Sequence, residues 1–279
     1  MVETFLIENE ATVRLTIFCT VLALMAGWEL LSPKRAAKFS KFSRWCNNIL
    51  LVVSNTLALR VLFPTAAIGM AILAGEKSWG LFNSLALPSW LEIFAAIVLL
   101  DLIIYWQHRL FHRIPWLWQL HQVHHADLDY DVTTAVRFHP IEIVISMAIK
   151  MASVAILGVP LLAVILFEII LNACAMFNHG NVALPGKLDN LLRKLIVTPD
   201  MHRVHHSTDF KESNSNYGFC LSIWDRLFQS YLPNTQLGQL QMHIGLDYVN
   251  QPKQAIPVLS LLAMPFTTKP NKIEPRQTL

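Results

Sequence analysis

Charge is scarce in this 279-residue sequence: Asp, Glu, Lys and Arg make up 15% of it, where ordinary soluble domains carry about a quarter. With 54% hydrophobic residues and a positive mean hydropathy, that deficit excludes an ordinary soluble domain. The net charge of +3 is small and the basic residues form no nucleic-acid-binding stripe, so nucleic acid is not an expected partner. Cysteine is sparse too. Cys19, Cys46, Cys174 and Cys220 show no CxxC spacing, and two of them lie inside apolar runs, which argues against disulfides, iron–sulfur clusters and structural zinc. A cleavable signal peptide is also missing: MVETFLIENEATVR is acidic where a signal needs basic residues, and no small-x-small site follows. The first apolar run is therefore expected to stay as a span. No internal repeat or low-complexity segment is evident.

What is abundant is long apolar sequence. Runs occupy residues 13–31, 49–73, 91–106, 141–157 and 160–177, and a helix needs about 20 residues, with about 17 as the lower limit, to cross a bilayer. The last two runs are short and separated only by Gly158 and Val159, which predicts a tight hairpin or a re-entrant pair. Lys150 and Glu168 inside it call for burial against protein. The loop SPKRAAKFSKFSRW carries five basic residues and no acid, which places it in the cytoplasm. Counting spans from there puts the loops after the third span and after the hairpin on the same face. AIPVLSLLAMPF, near residues 255–266, is too short to span and is expected in the interface or on the catalytic part; KPNKIEPRQTL reads as a loose tail.

Nine of the eleven histidines fall in those cytoplasmic segments: His108 and His112 in HRLFH, His121, His124 and His125 in HQVHH, His179 in FNHGN, and His202, His205 and His206 in HRVHH. On a helix, residues i, i+3 and i+4 share a face, so each pattern aims its imidazoles at one region. Asp101, Tyr105, His108 and His112 form one stripe. Pro115 redirects the chain into a new helix, and Thr198 with Pro199 reads as an N-cap followed by a first-turn proline. Neutral imidazole is the commonest nitrogen ligand for transition metals. Nine exceed the four ligands of one structural zinc and suit two ions with four or five each. His243 reads as background, and His139 as a residue near the site. A metal transporter would instead place ligands along a pathway at mid-membrane depth, and a bis-histidine haem needs only facing pairs.

DLIIYWQHRLFHRIPWLWQLHQVHH, TTAVRFHPIE, FNHGN, VTPDMHRVHH, SNYGF and SIWDRLF occur in that order and resemble the fatty acid hydroxylase superfamily, which includes sterol desaturases, methylsterol oxidases and alkylglycerol monooxygenase. The resemblance covers residues 91–232. It implies a membrane di-iron oxygenase that uses O2 and two electrons to hydroxylate a lipid (sterol, fatty acyl, sphingolipid or ether lipid), with the nine histidines as ligands to two Fe2+ ions. A desaturase on the same centre is the nearest alternative. Where some members carry a second histidine one turn before His179, this chain has Ala175, which implies a more open shell or a water-mediated role for Asn172 or Asn178. No HPGG haem-binding motif is present, so the electron donor is expected to be a separate protein or a reduced small molecule.

These readings predict an all-α integral membrane bundle with a cytoplasmic, histidine-rich helical cap around a dinuclear site. Residues 1–90 would form N-terminal spans, 91–235 the catalytic domain and 236–279 an interfacial segment and tail. Candidates to orient the imidazoles or touch substrate are Asp101, Asp127, Arg137, His139, Glu142, Asn178 and Asp200, with Thr133, Thr134 and Arg137 placed against a lipid headgroup. Trp106, Trp116 and Trp118 are expected as interfacial anchors. Asp225 and Arg226 read as structural. The sequence does not specify the oligomeric state.

Overall fold

Proline and glycine punctuate the helices of this chain. The computed structural model describes residues 2–268, so the reading of residues 269–279 as a loose tail lies outside the described residues. A short α1 (Val2–Glu8) precedes α2 (Glu10–Leu31), α3 (Lys41–Leu62), α4 (Ala66–Glu76) and α5 (Ser89–Arg113). Then come α6 (Pro115–His125), α7 (Pro140–Leu157), α8 (Leu161–Asn178), α9 (Gly186–Leu192) and α10 (Pro199–His205). Several short helices and an apolar helix, Val258–Thr267, follow. Among the described residues, five helical stretches are long and apolar enough to cross a membrane: α2, α3 with α4, α5, α7 and α8. The protein is a multi-pass membrane protein.

The apolar run at 49–73 is not one helix. Pro64 has no N–H to give and disfavours helical geometry at the preceding residue; Phe63 leaves the helical region at φ −135°, ψ 73°, and α4 opens on Ala66 at φ +46°. The break lets α4 pack against α7 and α8, where Ala67 and Ala71 meet Val154, Ala163 and Phe167 in one core. α7 ends at Gly158, in the left-handed region at φ +66°, and the chain reverses into α8 as a hairpin. A side chain at Gly158 would strike the Trp79 carbonyl, and one at Gly80 would strike the backbone of Gly158. Within the hairpin, Lys150 bonds Glu168 at 2.9 Å and Arg14 of α2 bonds its other oxygen at 2.5 Å. Pairing of these charges between helices accounts for their presence in apolar segments.

The opposite end of the bundle carries the histidines, and the basic loop after α2 lies against it. Lys34 Nζ donates to Asp200 of α10 at 2.8 Å, and Arg35 donates to the carbonyls of Gln239 and Met242. The segment that follows α6 is gripped by the membrane helices. Arg44 of α3, 1% exposed, donates from Nε and Nη2 to both oxygens of Asp127 at 2.7 Å and from Nη1 to Asp131 at 2.5 Å. Glu29 of α2 accepts from the backbone N–H groups of Val132 and Asn181. Thr134 donates to Asp127, Asn48 donates to Thr133, and Arg137 donates to Asn48, Val123 O and Ala255 O. Asp127, Thr133, Thr134 and Arg137 therefore brace the cap; all are buried, and the headgroup role expected of the last three is not what the structure shows. The helix Val258–Thr267 packs on α6 through Leu261, Met264, Val123 and Ala126, and not merely in an interface.

Burial alone would raise the Asp127 carboxyl, but Arg44 and Arg137 overcome it and pull it down to about 2. A depressed carboxylate contributes stability that is complete above its ordinary value near 4 and lost as pH falls towards 2. Asp127→Asn leaves a buried guanidinium short of a partner, which should cost about 3–5 kcal/mol at neutral pH. Thermal unfolding in detergent should show a clear drop in Tm, with the exposed control Asp247→Asn unchanged.

Candidate metal centre

Each histidine reaches the centre through a local rule. α5 carries His108 and His112 one turn apart in its last two turns, on the buried stripe with Asp101 and Tyr105. Pro115 opens α6, whose final turns present His121, His124 and His125. His179 is the residue at which α8 ends. Thr198 accepts from Met201 N and Pro199 occupies the first turn of α10, which bears His202 and His205, with His206 directly after it. All nine are at most 7% exposed.

They form two groups. His108, His112, His121, His125 and His205 bring one nitrogen each to within 4.8 Å of one another, and so do His124, His179, His202 and His206. Each HxxHH motif is divided between them. His121 and His125, one turn apart, serve the first group while His124 serves the second; His202 and His206 serve the second while His205 serves the first. Two faces of one short helix thus supply two adjacent points, which explains the third histidine in each motif.

Proton placement follows from the outer nitrogens. His108 Nδ1 bonds the carbonyl of Tyr217 at 2.9 Å, His124 that of Arg137 at 3.3 Å, His179 that of Ala175 at 2.7 Å and His205 that of Ser215 at 2.7 Å. A carbonyl only accepts, so each Nδ1 carries the proton and each Nε2 presents a bare lone pair. The Nε2 atoms of His108, His121 and His205 have no partner although buried. Those of His124 and His179 face each other across 3.1 Å. Two lone pairs at that distance repel unless a cation lies between them. His179 and His202, and His112 and His125, also approach to 3.1 Å through Nε2. Two nitrogens bound to one ion at about 2.1 Å would stand about 3.0–3.4 Å apart at ordinary coordination angles. The residues present fit two transition-metal ions held by nitrogen alone.

The electrostatics agree. Burial lowers His121 and His179 to about 3. His124, His125, His202, His205 and His206 fall well below their ordinary value through burial, then through mutual repulsion among the histidines. Neutral imidazoles are ligands; imidazolium is not.

Of the supporting candidates, two each meet one of the nine imidazoles among the described residues: Glu142 through its side chain, Oε1 accepting from His121 Nδ1 at 2.6 Å, and Arg137 through its backbone carbonyl, which accepts from His124. Asp101 accepts from Cys220 N, Leu221 N and Trp224 Nε1, and Asp225 from Tyr217 N and Gly218 N. Both pin the loop whose Tyr217 carbonyl holds His108, and so act at one remove. Asp200 pairs with Lys34 and Arg203. His139 caps α7 and bonds Leu262 O; it touches none of the nine histidines but lies close enough to Glu142 to act on its charge. Asn178 donates to Phe219 O and Asn172 to Glu168 O, while Ala175 supplies the carbonyl that orients His179. Trp106 and Trp116 are exposed, but Trp118 packs on His112 and His125. Sequence reasoning missed Phe138, stacked on His124 at 4.4 Å, and Tyr130, which lies against His179 and His206. Tyr130 also borders an open cavity of about 460 Å³ lined by Arg35, Lys38, Lys41 and Asp247; its lining includes none of the nine histidines.

Comparison with known proteins brings the same region forward. The fatty acid hydroxylase family profile matches residues 93–230, about half of the chain. Ornithine lipid hydroxylase OlsE of Rhizobium tropici is 30% identical over 186 residues, covering 66% of this chain and 53% of that protein. Alkylglycerol monooxygenase of Xenopus tropicalis is 28% identical over 57% of this chain and 35% of its own. Methylsterol monooxygenase 2-2 of Arabidopsis thaliana is 24% identical over 73% and 79%. The chain spans about half the length of the first of these relatives and about a third of the second. No solved structure matches. With the motifs on α5, α6, α8 and α10 all inside the matched residues, the chain belongs to the fatty acid hydroxylase family, a family of membrane oxidoreductases.

Proposed function

We propose that His108, His112, His121, His125 and His205 bind one iron ion and His124, His179, His202 and His206 a second, and that the chain hydroxylates a membrane lipid. The observation that carries this reading is the pair of bare nitrogens of His124 and His179, opposed at 3.1 Å in a buried site. Iron, rather than zinc, follows from the family's chemistry and from a donor set with no thiolate to be oxidised. When bound, the two irons supply the oxidising power that puts one oxygen atom of O2 into a C–H bond. The balance is RH + O2 + 2 e− + 2 H+ → ROH + H2O, with electrons from a separate donor protein or reduced small molecule.

The protein's own part is positioning and exclusion. The carbonyls of Tyr217, Arg137, Ala175 and Ser215 fix the proton on Nδ1 and leave Nε2 free. Phe111, Phe138, Trp118 and Tyr130 surround the imidazoles and keep bulk water out, which protects a reactive centre from side reactions. His108 and His112 stand in the last turns of a helix long and apolar enough to span a membrane, which would bring the centre near the polar end of a lipid. A sterol, fatty acyl, sphingolipid or ether lipid substrate suits that position, and the names of the relatives (ornithine lipid, alkylglycerol, methylsterol) support a lipid. The basic loop's contact with α10 supports a cytoplasmic face for the site.

The iron-loaded protein, given a membrane lipid extract, a reductant and isotopically labelled O2, should yield one lipid class carrying a single labelled oxygen. A product with a new double bond and no label would mark a desaturase; no oxygen-dependent product from any lipid class would overturn the reading. His121→Ala and His124→Ala, one from each group, should each abolish turnover while the chain still folds in detergent.

A further inference from the structure

Glu142 sets the two metal positions apart. Among the described residues, four of the nine imidazoles lean on neutral backbone carbonyls through Nδ1, and only His121 leans on a carboxylate. That carboxylate is 3% exposed, no Lys or Arg lies within ion-pair distance of it, and its second oxygen has no partner at all. A buried carboxylate without a cation is strongly disfavoured. Its place in the first turn of α7 offers partial compensation from the helix N-terminus. His139 also lies close enough to act on it, but that ring accepts from Ile141 N at Nδ1 and donates to Leu262 O from Nε2, the pattern of a neutral imidazole. The positive charge left within reach is whatever the five-histidine group holds. Were the proton on Oε1 rather than on His121 Nδ1, His121 would turn an N–H towards the centre, where His108 and His205 present lone pairs; a proton on Oε2 would be a buried donor with no acceptor, beside a site built for a cation.

We infer, resting on the dinuclear reading above, that Glu142 is a positioning residue that makes the two ions unequal. Through His121 it lends negative charge to the ion of the five-histidine group and holds that ion in its oxidised form more strongly than its neighbour. The four-histidine group has no such partner: His124 and His179 bond only carbonyls, and the nearby polar ring, Tyr130, donates its hydroxyl to Asn178 O. Five imidazoles with a carboxylate behind one of them, beside four with none, is a built asymmetry. It assigns the ion beside Glu142 as the one reduced last.

The test uses the full chain loaded with isotopically enriched iron and read by Mössbauer spectroscopy and a redox titration, so that it does not depend on turnover. Glu142→Gln keeps the side-chain length and an oxygen that accepts the His121 proton but removes the charge; Glu142→Ala removes both. The wild type should show two iron environments. In Glu142→Gln both irons should remain, one spectral component should shift while the other stays, and the more negative of the two midpoints should rise. In Glu142→Ala the iron of that same component should bind about 10–100-fold more weakly. Two unchanged components and midpoints in Glu142→Gln, or equal shifts in both, would overturn the inference and leave the dinuclear reading intact. A wild type that binds no iron would instead sink the dinuclear reading itself.

Discussion

Opposed lone pairs dominate this structure. Carbonyls behind four of the imidazoles fix the protons outward, and the inner nitrogens then converge, 3.1 Å apart in the case of His124 and His179, in a buried space. Such an arrangement is repulsive when empty, and protonation offers no relief because burial holds these side chains neutral. A cation at each point resolves it. On the dinuclear reading, metal binding would add to the stability of the folded cap.

The bundle exists to hold that convergence. α5 and α8 carry three of the histidines on membrane-spanning or membrane-ending helices, and the other six ride on two short helices that could not keep their place alone. Arg44 grips Asp127 and Asp131, Glu29 grips Val132 and Asn181, and Arg137 ties Val123 to Ala255. Apart from the local Arg137–Val123 bond, these contacts join residues 83 to 152 positions apart and lock the cap onto α2 and α3. Asp101 and Asp225 do the same for the loop whose carbonyl orients His108. Among the described residues, half of the buried side-chain polar atoms without a partner belong to the histidines and Glu142.

Much of this was legible in the sequence because helical spacing is a strong signal. The i, i+3, i+4 pattern brought the nine histidines together on paper, and Pro115, Pro199 and Thr198 marked where their helices begin. The division of each HxxHH between two groups needed the structure, since spacing names the faces but not what each face meets. Backbone carbonyls behind Nδ1 have no side-chain signature, so Tyr217, Ser215 and Ala175 were invisible in that role. Arg137 and Asp127 were misread for a related reason. Charged residues beside a membrane look like headgroup or ligand partners until their own partners, here Arg44 for Asp127 and Asn48 for Arg137, each more than 80 residues away, are placed. Pro64 was visible, but continuous apolarity on both sides hid the break it makes between α3 and α4.

The most direct test of the central claim is metal content per chain. Protein made in iron-supplemented cells and purified anaerobically in detergent should carry about two iron equivalents by elemental mass spectrometry, one for each convergence of lone pairs. Folded protein with well under one metal equivalent would contradict the account, because the opposed nitrogens would then have to be stable with nothing between them.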